Sequence, residues 1–200
     1  MPNWCDNFIT ISFNQDKPKE VKYILELKKA IEENKLCEFL RPMPKHQPDL
    51  TKPNPFFREG GLGKEETDKF GRNNWYDWAI DNWGTKWEID DGSAEISGDK
   101  MYVNFISAWS PPTRATEHIK LPFKHYYAET GVGFMGHLIK ENRRSLPIDT
   151  YANINLPANL NRKSEHEVEK ALVDICIGDG LEKELPEAMG LISAFTDYDD

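Results

Sequence analysis

Residues 86–108 read KWEIDDGSAEISGDKMYVNFISA. Trp87 and Ile89 alternate with polar neighbours, so Lys86 to Ile89 reads as the start of a strand. Asp90, Asp91 and Gly92 have turn composition, and Ser93 to Ser97 returns as a short strand. Ser97-Gly98-Asp99-Lys100 turns again before Met101 to Ala108, a strongly apolar strand. Strands joined by turns this tight must lie antiparallel, as a meander. The sheet is therefore expected to be antiparallel.

Working outward, Phe8 to Phe13 (FITISF) carries apolar residues on both faces and predicts a central strand. Asn14 or Asp16 is the expected cap of the next helix, with Pro18 in its first turn. Val21, Ile24, Leu25, Leu27, Ala30 and Ile31 recur at helical spacing and predict its buried face. From Glu38 to Gly63, five prolines and the Gly60-Gly61 pair exclude regular structure over most of the segment. A short polar helix is expected over 64–70. Downstream, Ser110-Pro111-Pro112-Thr113 opens a second helix reaching Lys120, and Phe123 to Glu129 and Phe134 to Lys140 read as paired strands around a Gly131–Gly133 turn. Leu146 to Arg162 reads as a polar connection, followed by a helix that Ser164 and Glu167 box at its start.

The resulting fold class is α+β: a ferredoxin-like antiparallel sheet with helices on one face, close to a βαββαβ plan. It carries a tryptophan-rich loop and helix insertion and an acidic helical C-terminal extension. The expected divisions are residues 1–145 for the ferredoxin-like domain, with its insertion at about 38–84, and 146–200 for the linker and extension.

Four of the six tryptophans crowd into residues 73–87, NNWYDWAIDNWGTKW. Asn73 or Asn74 suits a helix start and Gly84 a stop. On that helix Trp75, Trp78 and Ala79 share one face, and Tyr76, Ile80 and Trp83 another, so burial on two sides is expected. These rings either form core or wall a pocket that stacks on a planar ligand. In the pocket reading Trp75, Trp78, Trp83, Trp87, Trp109 and Tyr127 line it, and Lys86 and Arg114, with Arg72, supply positive charge for an anionic group. The plain reading of those cations is solvated surface.

Other constellations are thinner. Asp77 and Asp81 stand one helical turn apart, and His125 on one strand would meet His137 on its partner, with Glu129 near; none has ligand spacing, and no metal site or cofactor is expected. Cys5 reads as a small buried apolar residue. Pro2 precedes the strand by too much for N-terminal amine chemistry, and Gly131, Gly133 and Gly136 lack phosphate-loop spacing.

The chain has 200 residues, 38% hydrophobic and 12% aromatic, which supports a folded core. Its net charge of −9 is concentrated: residues 164–200 hold eleven Asp/Glu and two Lys, so the preceding 163 residues balance. General nucleic-acid binding driven by counterion release is therefore not expected, although a local basic groove is compatible with the neutral body. No apolar run is long enough to span a membrane, and the first residues lack the order of a secretory signal. Cys5, Cys37 and Cys176 are too far apart for a metal knuckle and suit a reducing host cytoplasm.

Five blocks, MPNWCDN, FLRPMP, WYDWAIDNWGTKW, FISAWSPP and YYAETGVGFMG, occur in one order over residues 1–140. Together they resemble the small phage- and plasmid-borne proteins with a YubB-type ferredoxin-like domain. That resemblance implies a cytoplasmic protein of a mobile element, with no catalytic residue to carry over and no iron–sulfur cluster. The function expected is non-enzymatic: binding a small anionic, nucleotide-like ligand or a host protein, and so acting on a host process such as defence. Two alternatives stand beside it, a protein-binding inhibitor whose acidic tail mimics nucleic-acid charge, and a metal-dependent phosphodiester hydrolase using Asp77, Asp81 or the histidines.

Overall fold

The structure is a computed structural model. It describes residues 3–43, 75–129, 134–142 and, as backbone, 148–153. The proposed helix over 64–70, Arg72, the 131–133 turn and the acidic extension from Ser164 fall outside these residues.

Strand β1 runs from Trp4 to Ser12, helix α1 from Pro18 to Glu32, and helix α2 from Leu36 to Leu40. Helix α3 spans Trp75–Asn82, strands β2 and β3 span Asp90–Ser97 and Lys100–Ala108, and helix α4 is Thr113–Thr116. Strands β4 (Phe123–Glu129), β5 (Phe134–Lys140) and β6 (Ile148–Asn153) complete one sheet in the order β2-β3-β1-β4-β5-β6. Every pairing is antiparallel. The first four positions of that order place β1 between β3 and β4, with β1-α1-β2 split by β3. This is consistent with ferredoxin-like topology, extended at one edge by β5 and β6.

Burial on both faces of β1 explains its central place. Cys5, Asn7, Ile9, Ile11 and Phe13 are buried on one face, and Ile9, Ile11 and Phe13 join Met101, Val103, Phe105, Phe123 and Leu138 in the main core. Helix α1 closes that core with Ile24, Leu27 and Ile31, each essentially inaccessible. Burying each of these three contributes roughly 1.5–3 kcal/mol relative to an exposed side chain. The other face of the sheet carries Asp6, Phe8, Thr10 and Ser12 from β1, and Tyr102 and Asn104 from β3, at matching register.

Several expectations are corrected. The N-cap of α1 is Lys17, without a side-chain bond; Asn14 Oδ1 instead accepts from Asp16 N–H at 2.8 Å, in a turn ahead of the helix. Leu25 is 54% exposed, because at 100° per residue it falls beyond the edge of the Ile24–Leu27–Ile31 stripe. Regular structure reaches past Glu38, since the half-buried Glu88 carboxylate accepts the N–H groups of Cys37 (2.7 Å) and Glu38 (2.9 Å) and starts α2. Lys86 to Ile89 is not a strand, and the expected turn at 90–92 is a bulge inside β2, where the register slips between Asp90 and Ser93. The second helix stops at Thr116. Ile148–Asn153, expected to be connection, pairs with β5; its sequence IDTYAN lacks a clean apolar alternation, so its strand character comes from the neighbour.

The sharp corner after β3 is made by Trp109, at φ 70°, whose N–H donates to Asn3 O at 2.9 Å. Its ring is 48% exposed. Since an L-residue is strained there while glycine is not, Trp109→Gly should match or exceed the stability of Trp109→Ala by about 1 kcal/mol. Chemical denaturation of the two variants tests this, and the reverse order would contradict it.

Candidate functional site

Helix α3 ends in a glycine turn: Gly84, at φ 88°, donates to Ala79 O and Ile80 O, both at 3.2 Å. The turn throws Trp83 back against Trp78, edge to face, with centroids 5.7 Å apart. Both indoles are interior, 5% and 6% exposed, and Trp83 Nε1 donates to Arg41 O at 2.8 Å. Trp75 packs half-buried on the same core. Tyr76 and Ile80 are exposed, so α3 is buried on one side and not on two. Lys86 lies over the ring of half-buried Trp87, Nζ to centroid 4.7 Å, and 5.7 Å from that of Tyr76. Arg114 Nη1 donates to Asp81 O at 2.9 Å, across from α3. Trp75, Trp78, Trp83, Lys86, Trp87 and Arg114 thus share one end of the fold. Tyr127 belongs elsewhere: it is buried in a separate cluster with Cys5 and Phe134.

Removing the indole nitrogen and part of the ring with Trp83→Phe should cost about 2 kcal/mol, because the Arg41 carbonyl loses its donor and a cavity opens. Trp109→Ser should cost less than about 0.5 kcal/mol beyond its backbone effect. Urea titrations compare the two.

A second constellation lies beneath the helices. His125, wholly buried, has Nε2 3.0 Å from Asn7 Oδ1 and Nδ1 3.0 Å from Thr116 Oγ1. Asn7 Nδ2 is already committed as donor to Cys5 O (2.7 Å) and Ser107 Oγ (2.9 Å). Asn7 Oδ1 must therefore accept, which puts the imidazole proton on Nε2 and makes the Thr116 hydroxyl the donor to Nδ1. Burial pushes the His125 pKa down to about 3, so the ring is neutral at physiological pH. The order hydroxyl, imidazole, amide is that of a nucleophilic relay. Yet Thr116 and His125 are both at 0% exposure, and no substrate can reach the hydroxyl. The relay is a polar fastener between β1, β4 and α4.

His125 and His137 do not meet. His125 pairs in register with Leu138, and His137 with Tyr126, so the two rings stand on opposite faces of the sheet. Among the described residues no group of three or more His, Cys, Asp or Glu could hold a metal ion.

A third place is open to solvent. Where β1 ends, a cleft of about 380 Å³ is lined by Thr10, Ser12, Lys100, Lys124, Lys140 and Glu141, with Pro122, Phe123 and Ile139 as its apolar wall. Register assembles it: Ser12 stands opposite Lys100, Thr10 opposite Lys124, and Phe123 opposite Lys140. Ser12 N–H to Pro122 O (3.0 Å) and Phe13 N–H to Asp99 O (2.9 Å) hold the strand ends together. Lys140 Nζ is anchored on Ile119 O at 2.9 Å. Thr10 is 4% exposed, and its Oγ1 is bonded to no described residue. A buried hydroxyl without a partner is destabilising, so Thr10 costs the strand stability where it stands. Among the described lining residues, three lysines stand against one glutamate, a positive balance. Sequence reading passed over this site because Thr10, Lys100, Lys124 and Lys140 share no local motif.

No protein-family model matches the sequence, and no curated protein does. Among solved structures, the fold is similar to the crystal structure of protein api92 from Yersinia pseudotuberculosis, of family DUF1281, at a TM-score of 0.45 and 10% identity. That likeness covers 78% of this chain and 99% of the other. No helix among the described residues is long and apolar enough to cross a membrane.

Proposed function

We propose that this is a non-enzymatic binding protein whose ligand is small, anionic and nucleotide-like, held in the cleft at the end of β1. The observation that carries the reading is the solvent-open cleft at the end of β1, whose described lining includes Lys100, Lys124 and Lys140. The hydroxyl–imidazole–amide chain through His125 is sealed, which favours binding over catalysis. The resemblance to phage- and plasmid-borne proteins supports a mobile element acting on a host process as the setting. In this reading the tryptophans at α3 stiffen the scaffold rather than wall the pocket.

Thr10→Val, set beside two lysine variants, provides the test. Valine keeps the shape and deletes the unsatisfied oxygen, so the ligand-free variant should match or exceed the parent in stability, by up to about 1 kcal/mol. Its affinity for inorganic pyrophosphate, ATP or a cyclic nucleotide should match the parent's, whereas Lys100→Ala and Lys124→Ala should each lose about tenfold, by calorimetric titration. Failure of all three ligands to bind at millimolar concentration, or binding indifferent to the lysine substitutions, would exclude the cleft.

A further inference from the structure

We infer that the sheet face turned away from α1 is the docking surface for this chain's own residues 154–200, seated through the apolar stripe that follows Ser164. The acidic extension is then a third layer of the fold and not a free tail. Strands β4 and β5 are buried on both faces. His125, Tyr127 and Leu138 turn toward the α1 side, Tyr126, Ala128, Met135 and His137 turn the other way, and all seven are at most 6% exposed. Thr10, in register with Lys124, belongs to the second face and is 4% exposed. Helices α1 to α4 all contribute to the core on the first side, so no described element covers the second. An antiparallel sheet hidden on both sides needs a layer on each.

Burial points to where the cover comes from. On the second face, side chains are hidden on β4 and β5, next to β6, whereas on β3 Tyr102 is half-buried and Asn104 is exposed. The chain leaves the sheet at that same edge: Ala152 and Asn153, which end β6, stand beside Met135 and Phe134. The connections 130–133 and 143–147 are too short to build a layer. Residues 44–74 run between α2 and α3, whose Leu40 and Trp75 both pack on the first side. The 47 residues after Asn153 start at the buried edge and have the length to cross it. They also carry the matching surface. Val168, Ala171, Leu172 and Ile175 recur at helical spacing, as an apolar stripe. A helix over 164–177 is about 21 Å long and crosses four strands at about 4.8 Å spacing. Residues 154–163 extend up to about 33 Å, enough to bring it back over the sheet. A helix this short is marginal in water without a partner for its stripe, and Tyr126, Ala128 and Met135 offer one. With the stripe inward, Glu169, Lys170 and Asp174 face solvent.

Methyl NMR on the full wild-type chain, labelled at Met, Ile, Leu and Val, provides the test. The Met135 methyl should show NOEs to methyls of Val168, Leu172 or Ile175. NOEs to Leu50 or Leu62 in their place, or none to residues 154–200, overturn the proposal. Two variants give an independent reading. Leu172→Asp puts a charge into the stripe, and Lys170→Asp puts one on the opposite side of the helix. Amide exchange in β4 and β5 should accelerate at least about tenfold in Leu172→Asp and stay within about twofold of the parent in Lys170→Asp. Equal exchange in the two variants also overturns it. The NOEs need no variant and decide the matter even if Leu172→Asp does not fold.

Discussion

A chain carrying His125→Phe should unfold about 3 kcal/mol more easily than the parent at neutral pH. Phenylalanine fills the ring's volume but leaves Asn7 Oδ1 and the Thr116 hydroxyl buried without their present partner. The pH dependence should change as well. The folded chain holds His125 neutral down to about pH 3, whereas the unfolded chain takes up a proton below its ordinary 6.5. The unfolded state therefore binds more protons between these values. The imidazole's contribution is complete above pH 6.5 and lost as pH falls toward 3, at about 1.4 kcal/mol per pH unit.

Asp6 opposes it. Burial raises its carboxyl from 3.8 to about 6, with the Glu129 charge adding a smaller push. Its contribution is complete below pH 3.8 and lost as pH rises through 6. Between pH 4 and 6 the two slopes therefore offset each other. Asp6→Asn should expose the acid lability due to His125. His125→Phe should show the reverse, with stability falling as pH rises through the same window. Urea midpoints by circular dichroism at a series of pH values decide this, and parallel profiles for the parent and both variants would rule it out.

Gly92→Ala should cost about 3 kcal/mol or more, because the new methyl has nowhere to go. A Cβ on Gly92 would press into the carbonyl oxygen of Ile31, with Asn34 Oδ1 2.9 Å away. These atoms belong to the end of α1. There Lys35 N–H returns to Ala30 O at 2.7 Å and Asn34 N–H to Ile31 O at 2.9 Å, around Asn34 at φ 54°. The same Asn34 Oδ1 accepts the Gly92 N–H at 2.9 Å. Helix α1 is thus locked onto the β2 bulge by backbone and cap, with no flexible side chain able to give way. Gly98→Ala is the control: its φ of 57° predicts a loss near 1 kcal/mol, but no neighbour lies within 4 Å. Equal thermal shifts for the two variants would show that only glycine's backbone freedom mattered at position 92.

Much of the architecture was legible along the chain. Apolar runs bounded by turn residues located β1, β3, β4 and β5, and period-3.6 spacing located α1, because that pattern records which side of the helix meets the core. Gly84 marked the stop of α3, since a left-handed residue is needed there. The tryptophan crowding marked a buried region at α3, but not which rings are interior: Trp78 and Trp83 are, whereas Tyr76 and Ile80 are not.

What remained was decided by pairing between distant residues. The bulge at Gly92 follows from its approach to α1, not from its turn-like composition. The opposite faces of His125 and His137 depend on a register of one residue. Thr10 meets Lys124, and Asn7 meets His125, across more than a hundred positions, through hydrogen-bonded ladders that leave no local trace. Sequence determined the elements and their apolar faces, because those are short-range consequences of side-chain periodicity. Tertiary structure alone brought three lysines and a buried hydroxyl to one cleft, because only strand register sets which side chains become neighbours.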